Sequence, residues 1–142
     1  MSTYERDFYA WTHEQTTRLR TRDFDRLDID NLIEEIETMG RSERRQLTSR
    51  LEVLLIHLLK WQFQPALRGR SWQLTVVEQR RRIEKLLQAN PSLRPQLPDL
   101  LAEAYNDATF GAMRESGLPQ ETFPAVSPYT LENVLNMAWL PE

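Results

Sequence analysis

Residues Arg41 to Pro65, RSERRQLTSRLEVLLIHLLKWQFQP, restrict what this chain can become more than any other stretch. Leu47, Leu51, Leu54, Leu55, Leu58 and Trp61 recur at three- and four-residue steps, the spacing of one helical face. From Leu51 onward Val53, Ile56, Leu59 and Phe63 make the opposite side apolar as well. A helix that is apolar all round must be covered on several sides. The cover has to come from other helices of the chain or from a second copy, which would make these residues a homodimer seam. The expected fold is therefore all-α: an irregular helical bundle packed around a long central helix over about 41–63. Residues 1–142 are expected to form one domain, a size suited to a single core.

The flanking segments read as further helices. Tyr4, Phe8, Trp11, Gln15 and Leu19 share a stripe, predicting a first helix from Thr3 to about Arg22. DFDRLD over 23–28 breaks it, and Asp28 or Asp30 is placed to cap the next helix, DNLIEEIETMG. In that helix Leu32, Ile33, Ile36 and Met39 are expected to face inward, with Gly40 as a left-handed stop and Ser42 capping the central helix. The alternative is near-continuity through Gly40. Pro65 and Gly69 mark a turn, after which Ser71 can cap a long helix ending at Asn90-Pro91. Its inner stripe of Trp72, Val76, Ile83 and Leu87 also takes in Gln79 or Arg80, so at least one polar head must reach the core edge or a buried partner. A helix from Pro98 to Ser116 is stopped by Gly117, and one short helix capped by Thr130 or Ser127 precedes an anchoring Trp139-Leu140.

Composition removes several function classes. There is no cysteine, hence no disulfide framework and no thiolate chemistry, as suits a cytoplasmic setting. No apolar run approaches the roughly 20 residues of a membrane span, and the charged, aromatic N-terminus lacks a signal core. The formal net charge of −3 is unevenly distributed: −5 over residues 1–40, +8 over 41–98 and −6 over 99–142. A basic middle between acidic ends can neutralise itself internally or present a face to an anionic partner.

Few motifs carry chemistry. His13-Glu14 lacks the second histidine of a zinc helix, since position 17 is Thr17. His57, with Lys60 one turn on, could act as a general base, but its plainer reading is a ring bonded to a carboxylate such as Glu34, Glu35 or Glu37. Glu34 and Glu37 share a helical face and, with His57, could hold Mg or Mn. No ExxD or ExxH partner motif completes such a site, and pairing with Arg41, Arg44, Arg45 or Arg50 explains the glutamates as well. Arg44, Arg68 and Arg70, beside the Arg80-Arg81-Arg82 run and Trp72, are candidates for gripping an anionic ligand. Three consecutive helical residues fan through about 200°, however, which denies them a single basic face.

The strings DNLIEEIETMGRSERRQL, LEVLLIHLLKWQFQP, SWQLTVVEQRRRIEKLL and PSLRPQL, with ETFP and a terminal LPE, resemble the bacterial Domain of Unknown Function twenty-nine family over nearly the whole chain. The resemblance implies a small all-helical cytoplasmic protein and supplies no catalytic residues or cofactor. Three functional readings follow. The leading one is a non-enzymatic helical protein-interaction module, with a protein partner or itself. The others are a metal-assisted hydrolase of a phosphorylated small molecule using Glu34, Glu37 and His57, and nucleic-acid binding through the Arg-rich middle.

Overall fold

The computed structural model describes residues 1–142 as helices, 3-10 turns and connecting loops, with no strand. The chain falls into two compact units, Met1–Ser42 and Glu43–Glu142. The all-α class expected from the sequence is what is found. No helix is long and apolar enough to cross a membrane.

The first unit opens with α1 (Thr3–Arg6) and α2 (Phe8–Arg20). The single helix expected over this stretch is interrupted at Asp7. Its backbone leaves the helical region (φ −153°), and its carboxylate accepts the Ala10 N–H at 3.0 Å, so it ends one helix and caps the next. Arg22, in the left-handed region at φ 58°, then terminates α2. Tyr4, Phe8 and Trp11 pack edge-on and stacked with ring centroids 4.8–5.7 Å apart. Asp28 ties the loop down: its carboxylate accepts Trp11 Nε1 at 3.0 Å and Asn31 Nδ2 at 2.8 Å, and its own N–H donates to the buried Gln15 Oε1 at 2.8 Å. Asp28 rather than Asp30 precedes the next helix, and the hydrogen bonds from Asn31 hold its carboxyl below the usual range.

That next helix, α3, runs unbroken from Ile29 to Phe63. The stop at Gly40 and the cap at Ser42 are corrected: both residues lie inside the helix, and Gly117 is the chain's only glycine with positive φ. One glycine costs a helix about 1 kcal/mol relative to alanine, and strong helix formers on both sides outweigh that. A second correction concerns its first four turns. Ile33, Ile36 and Met39 were expected to face inward and are instead exposed.

In the second unit the rest of α3 is followed by α4 (Arg70–Ala89), α5 (Leu97–Ser116) and α6 (Leu131–Leu135). Leu47, Leu51, Leu54, Leu55, Leu58 and Leu59 are completely buried, in one cluster with Val76, Ile83 and Leu87 of α4 and Leu100, Ala104 and Ala108 of α5. Trp61, expected on this stripe, is only half-buried. The far side of α3 is covered in part by this chain itself. Ile56 is buried and lies so close to Gly111 of α5 that a Cβ there would overlap its Cδ1, while Phe63 packs edge-on against Phe123 at 5.4 Å. Of the four residues that could have formed a homodimer seam, Ile56 and Leu59 are thus buried within the chain, whereas Val53 and Phe63 are half-buried.

Helix ends follow local chemistry. Gly117 takes φ 75° and closes α5, Thr130 Oγ1 accepts the Asn133 N–H to cap α6, and Asn90 donates back to Leu86 at the end of α4. Gly69 with extended backbone, not Ser71, precedes α4, and the Ser71 carbonyl accepts from Thr75 inside it. The C-terminal segment is strapped to the core. Tyr105 Oη donates to Pro124 O at 2.6 Å, and Tyr129 Oη lies 2.6 Å from Gln62 Oε1 and 3.3 Å from Leu58 O. Burial pushes the Tyr129 hydroxyl pKa far up.

Candidate functional site

In the first unit, Arg41 reaches back along α3 to Glu34 at 3.4 Å and Glu37 at 3.7 Å, all three side chains at least half exposed. Glu35 accepts a short hydrogen bond from Tyr4 Oη, which pushes the phenol up to about 12. These glutamates are therefore engaged by an arginine and a tyrosine. No group of three His, Asp or Glu side chains comes together as a metal ligand set.

In the second unit His57 is half-buried, and its ring nitrogen Nδ1 lies 2.9 Å from Val53 O one turn earlier. A carbonyl only accepts, so Nδ1 carries the hydrogen of this bond. The carboxylate partner expected for His57 is replaced by the helix's own backbone. Lys60 is buried, donates to Glu115 at 2.9 Å and sits 4.7 Å over the ring of the half-buried Trp72.

The candidate anion-gripping arginines are mostly employed as well. Arg44 bonds Glu103 at 3.1 Å and Gln96 at 3.2 Å. Arg68 donates to the carbonyls of Trp61 and Glu142 and stacks 5.1 Å over Trp61. Arg82 pairs with Glu78 at 2.8 Å and Arg94 with Glu84 at 2.9 Å, whereas Arg70 is exposed without an acidic partner. Five of the twelve bases of residues 41–98, Arg41, Arg44, Lys60, Arg82 and Arg94, thus have a carboxylate partner within the chain. The Arg80-Arg81-Arg82 run divides as helical geometry requires: Arg80 points into the core, and Arg81 and Arg82 point out.

An apolar surface is also left without a partner. On the first turns of α3, Ile29, Ile33, Ile36 and Met39 are 52%, 48%, 61% and 62% exposed. Steps of four and three residues put them on one face. The same spacing governs Leu47, Leu51, Leu54 and Leu58, each wholly buried. One helix therefore carries an apolar stripe that is covered over its later turns and bare over its first. Asp30, Glu34 and Glu37 lie beside the bare part, within a unit of ten acids and six arginines, net −4. The sequence shows the stripe; whether anything covers it is the part that periodicity leaves out.

This chain belongs to the family described as Domain of unknown function DUF29, whose profile matches residues 3–140. Neither the comparison with curated proteins nor that with solved structures gives a match. Membership carries no assigned chemistry, so a functional reading has to rest on the surfaces just described.

Proposed function

We propose that this protein is a non-enzymatic helical interaction module, and that the Ile29, Ile33, Ile36 and Met39 stripe docks a basic amphipathic helix of a partner. The observation that carries the reading is four large aliphatic side chains left bare at coiled-coil spacing on an acidic unit. An amphipathic helix laid along such a stripe buries its own apolar positions against it. Lysines or arginines at its flanks meet Asp30 and compete with Arg41 for the exposed Glu34 and Glu37, a complementarity that favours encounter and fixes register. Pairing of the stripe with itself would set these acids against their own copies, which argues for a basic partner over a second copy.

The test uses fluorescence anisotropy with three labelled synthetic peptides of about 20 residues, long enough to populate a helix. One has leucine at heptad core positions and lysine elsewhere, one replaces lysine by glutamate, and one scrambles the lysine peptide to erase its apolar face. The reading expects the lysine peptide to bind roughly tenfold or more tighter than both others. It also expects Ile33→Glu with Ile36→Glu to remove that difference while light scattering reports a monomer throughout. Equal binding of the scrambled peptide would reduce the effect to charge and overturn the proposal. A dimer that the double substitution dissociates would make a second copy the occupant and overturn it equally.

A further inference from the structure

Arg80 is the one arginine of the second unit that is both buried, at 3% exposure, and without a carboxylate. Its Nε donates to Val134 O at 2.8 Å and its Nη2 to Asn133 O at 3.2 Å, so it holds the last carbonyls of α6. Those two bonds leave Nη1 with no acceptor from the protein, and Nη1 is not among the sealed, unpaired side-chain atoms. A buried cation paired only with neutral carbonyls is an expensive arrangement. Burial alone pushes the guanidinium down to about 10, which still leaves it charged at neutral pH.

Two grooves meet at this residue. One, of about 500 Å³, is largely apolar, lined by Leu74, Val76, Val77 and Leu140, with Arg70 and Gln73 also on its wall. The other, of about 750 Å³, is lined by charged side chains of α4, among them Arg81, Lys85, Glu78 and Glu84. Arg80 and Met137 line both. An apolar trough of this size that carries Arg70 at its exposed side and the buried, preorganised Arg80 is suited to a small amphipathic anion. On the polar side Arg81, Arg82 and Lys85 outnumber Glu78 and Glu84, so the surroundings of Arg80 favour an anion.

We infer that the groove between α4 and the Val134–Leu140 segment binds an amphipathic monocarboxylate, its carboxylate on Arg80 Nη1 and its apolar body along Leu74, Val77 and Leu140. Nothing in the interaction-module reading is needed for this, since the groove lies wholly within residues 70–140.

The experiment titrates the full chain by calorimetry with octanoate, octanol and inorganic phosphate in parallel. Octanoate is expected to bind at one site with a dissociation constant of about 1 mM or below, and at least about tenfold more tightly than octanol or phosphate. Leu74→Glu, at a half-exposed position on the groove wall, should weaken octanoate about tenfold or more with the helical circular dichroism unchanged. Arg80→Lys should keep the charge and lose the fixed donor edge, with a comparable loss. Octanol binding as well as octanoate would show that the cation takes no part. Phosphate binding in preference would make the site one for inorganic anions, and no heat from octanoate up to several times that concentration would leave the groove without this ligand class. Each of these three results overturns the inference, and because none involves the α3 stripe, each is distinguishable from failure of the interaction reading.

Discussion

Alanine replacements of Leu54 and Ile36, made one at a time, separate the covered part of the α3 stripe from the bare part. Leu54 is wholly buried. Truncation to alanine removes the equivalent of three methylenes, about 2.4 kcal/mol of transfer free energy at roughly 0.8 kcal/mol each. The cavity left among close-packed helices raises the total to about 3–4 kcal/mol, within the observed range for buried leucines. Ile36 is 61% exposed, so less than half of its side chain leaves water on folding. The same arithmetic gives about 0.9 kcal/mol, of which alanine's better helix propensity returns a few tenths. The net effect is about 0.5 kcal/mol. Urea titration followed by far-ultraviolet circular dichroism measures both, the midpoint moving with the slope unchanged. A loss above about 2 kcal/mol for Ile36→Ala in dilute protein, or below about 1 kcal/mol for Leu54→Ala, would refute the division of the helix into bare and covered turns.

Further outcomes follow from single contacts. Glu52 is partly desolvated and faces Asp107, which together hold its carboxyl pKa above the ordinary 4.5 despite Arg114. The stability tied to its protonated form is present below 4.5 and is lost as pH rises through the folded value, so Glu52→Gln should be more stable than the wild type at neutral pH and gain nothing at pH about 4. Asp28 behaves oppositely. Its carboxyl is depressed below 3.8, so its contribution is full above 3.8 and disappears as pH falls through the folded value. Asp28→Ala should cost about 1 kcal/mol at neutral pH, as helix caps do, and the difference from wild type should close on acidification, read from urea titrations followed by circular dichroism. Gly111→Val places two methyls where one already overlaps Ile56 Cδ1, and should lower stability by about 1–3 kcal/mol in the same urea assay.

The core was legible because burial leaves a period: leucines at 47, 51, 54 and 58 can satisfy a helix in only one way, and they are buried as read. The prediction that the α4 stripe forces Gln79 or Arg80 to find a buried partner was equally physical, and Arg80 finds the carbonyls of α6. The partners' identities were not legible. His57 turned to its own helix's Val53 carbonyl, because a partner 2.9 Å away at i−4 is always within reach, whereas a distant carboxylate has to be delivered by the fold. Ile33, Ile36 and Met39 look inward by period alone, but an amphipathic face records only that it prefers cover. Asp7 carried a readable signal, a short carboxylate three residues before the Ala10 amide, that the aromatic stripe obscured.

The interaction reading reduces to which isoleucines a partner touches. The chain has five, of which Ile29, Ile33 and Ile36 are exposed on α3 and Ile56 and Ile83 are buried in the second unit. Titrating the lysine-leucine peptide into protein labelled at isoleucine δ1-methyls gives one signal for each. The account predicts progressive, saturable shifts of the first three with Ile56 and Ile83 stationary. Shifts of the buried pair, or none at Ile33 and Ile36 while the peptide binds, would contradict it.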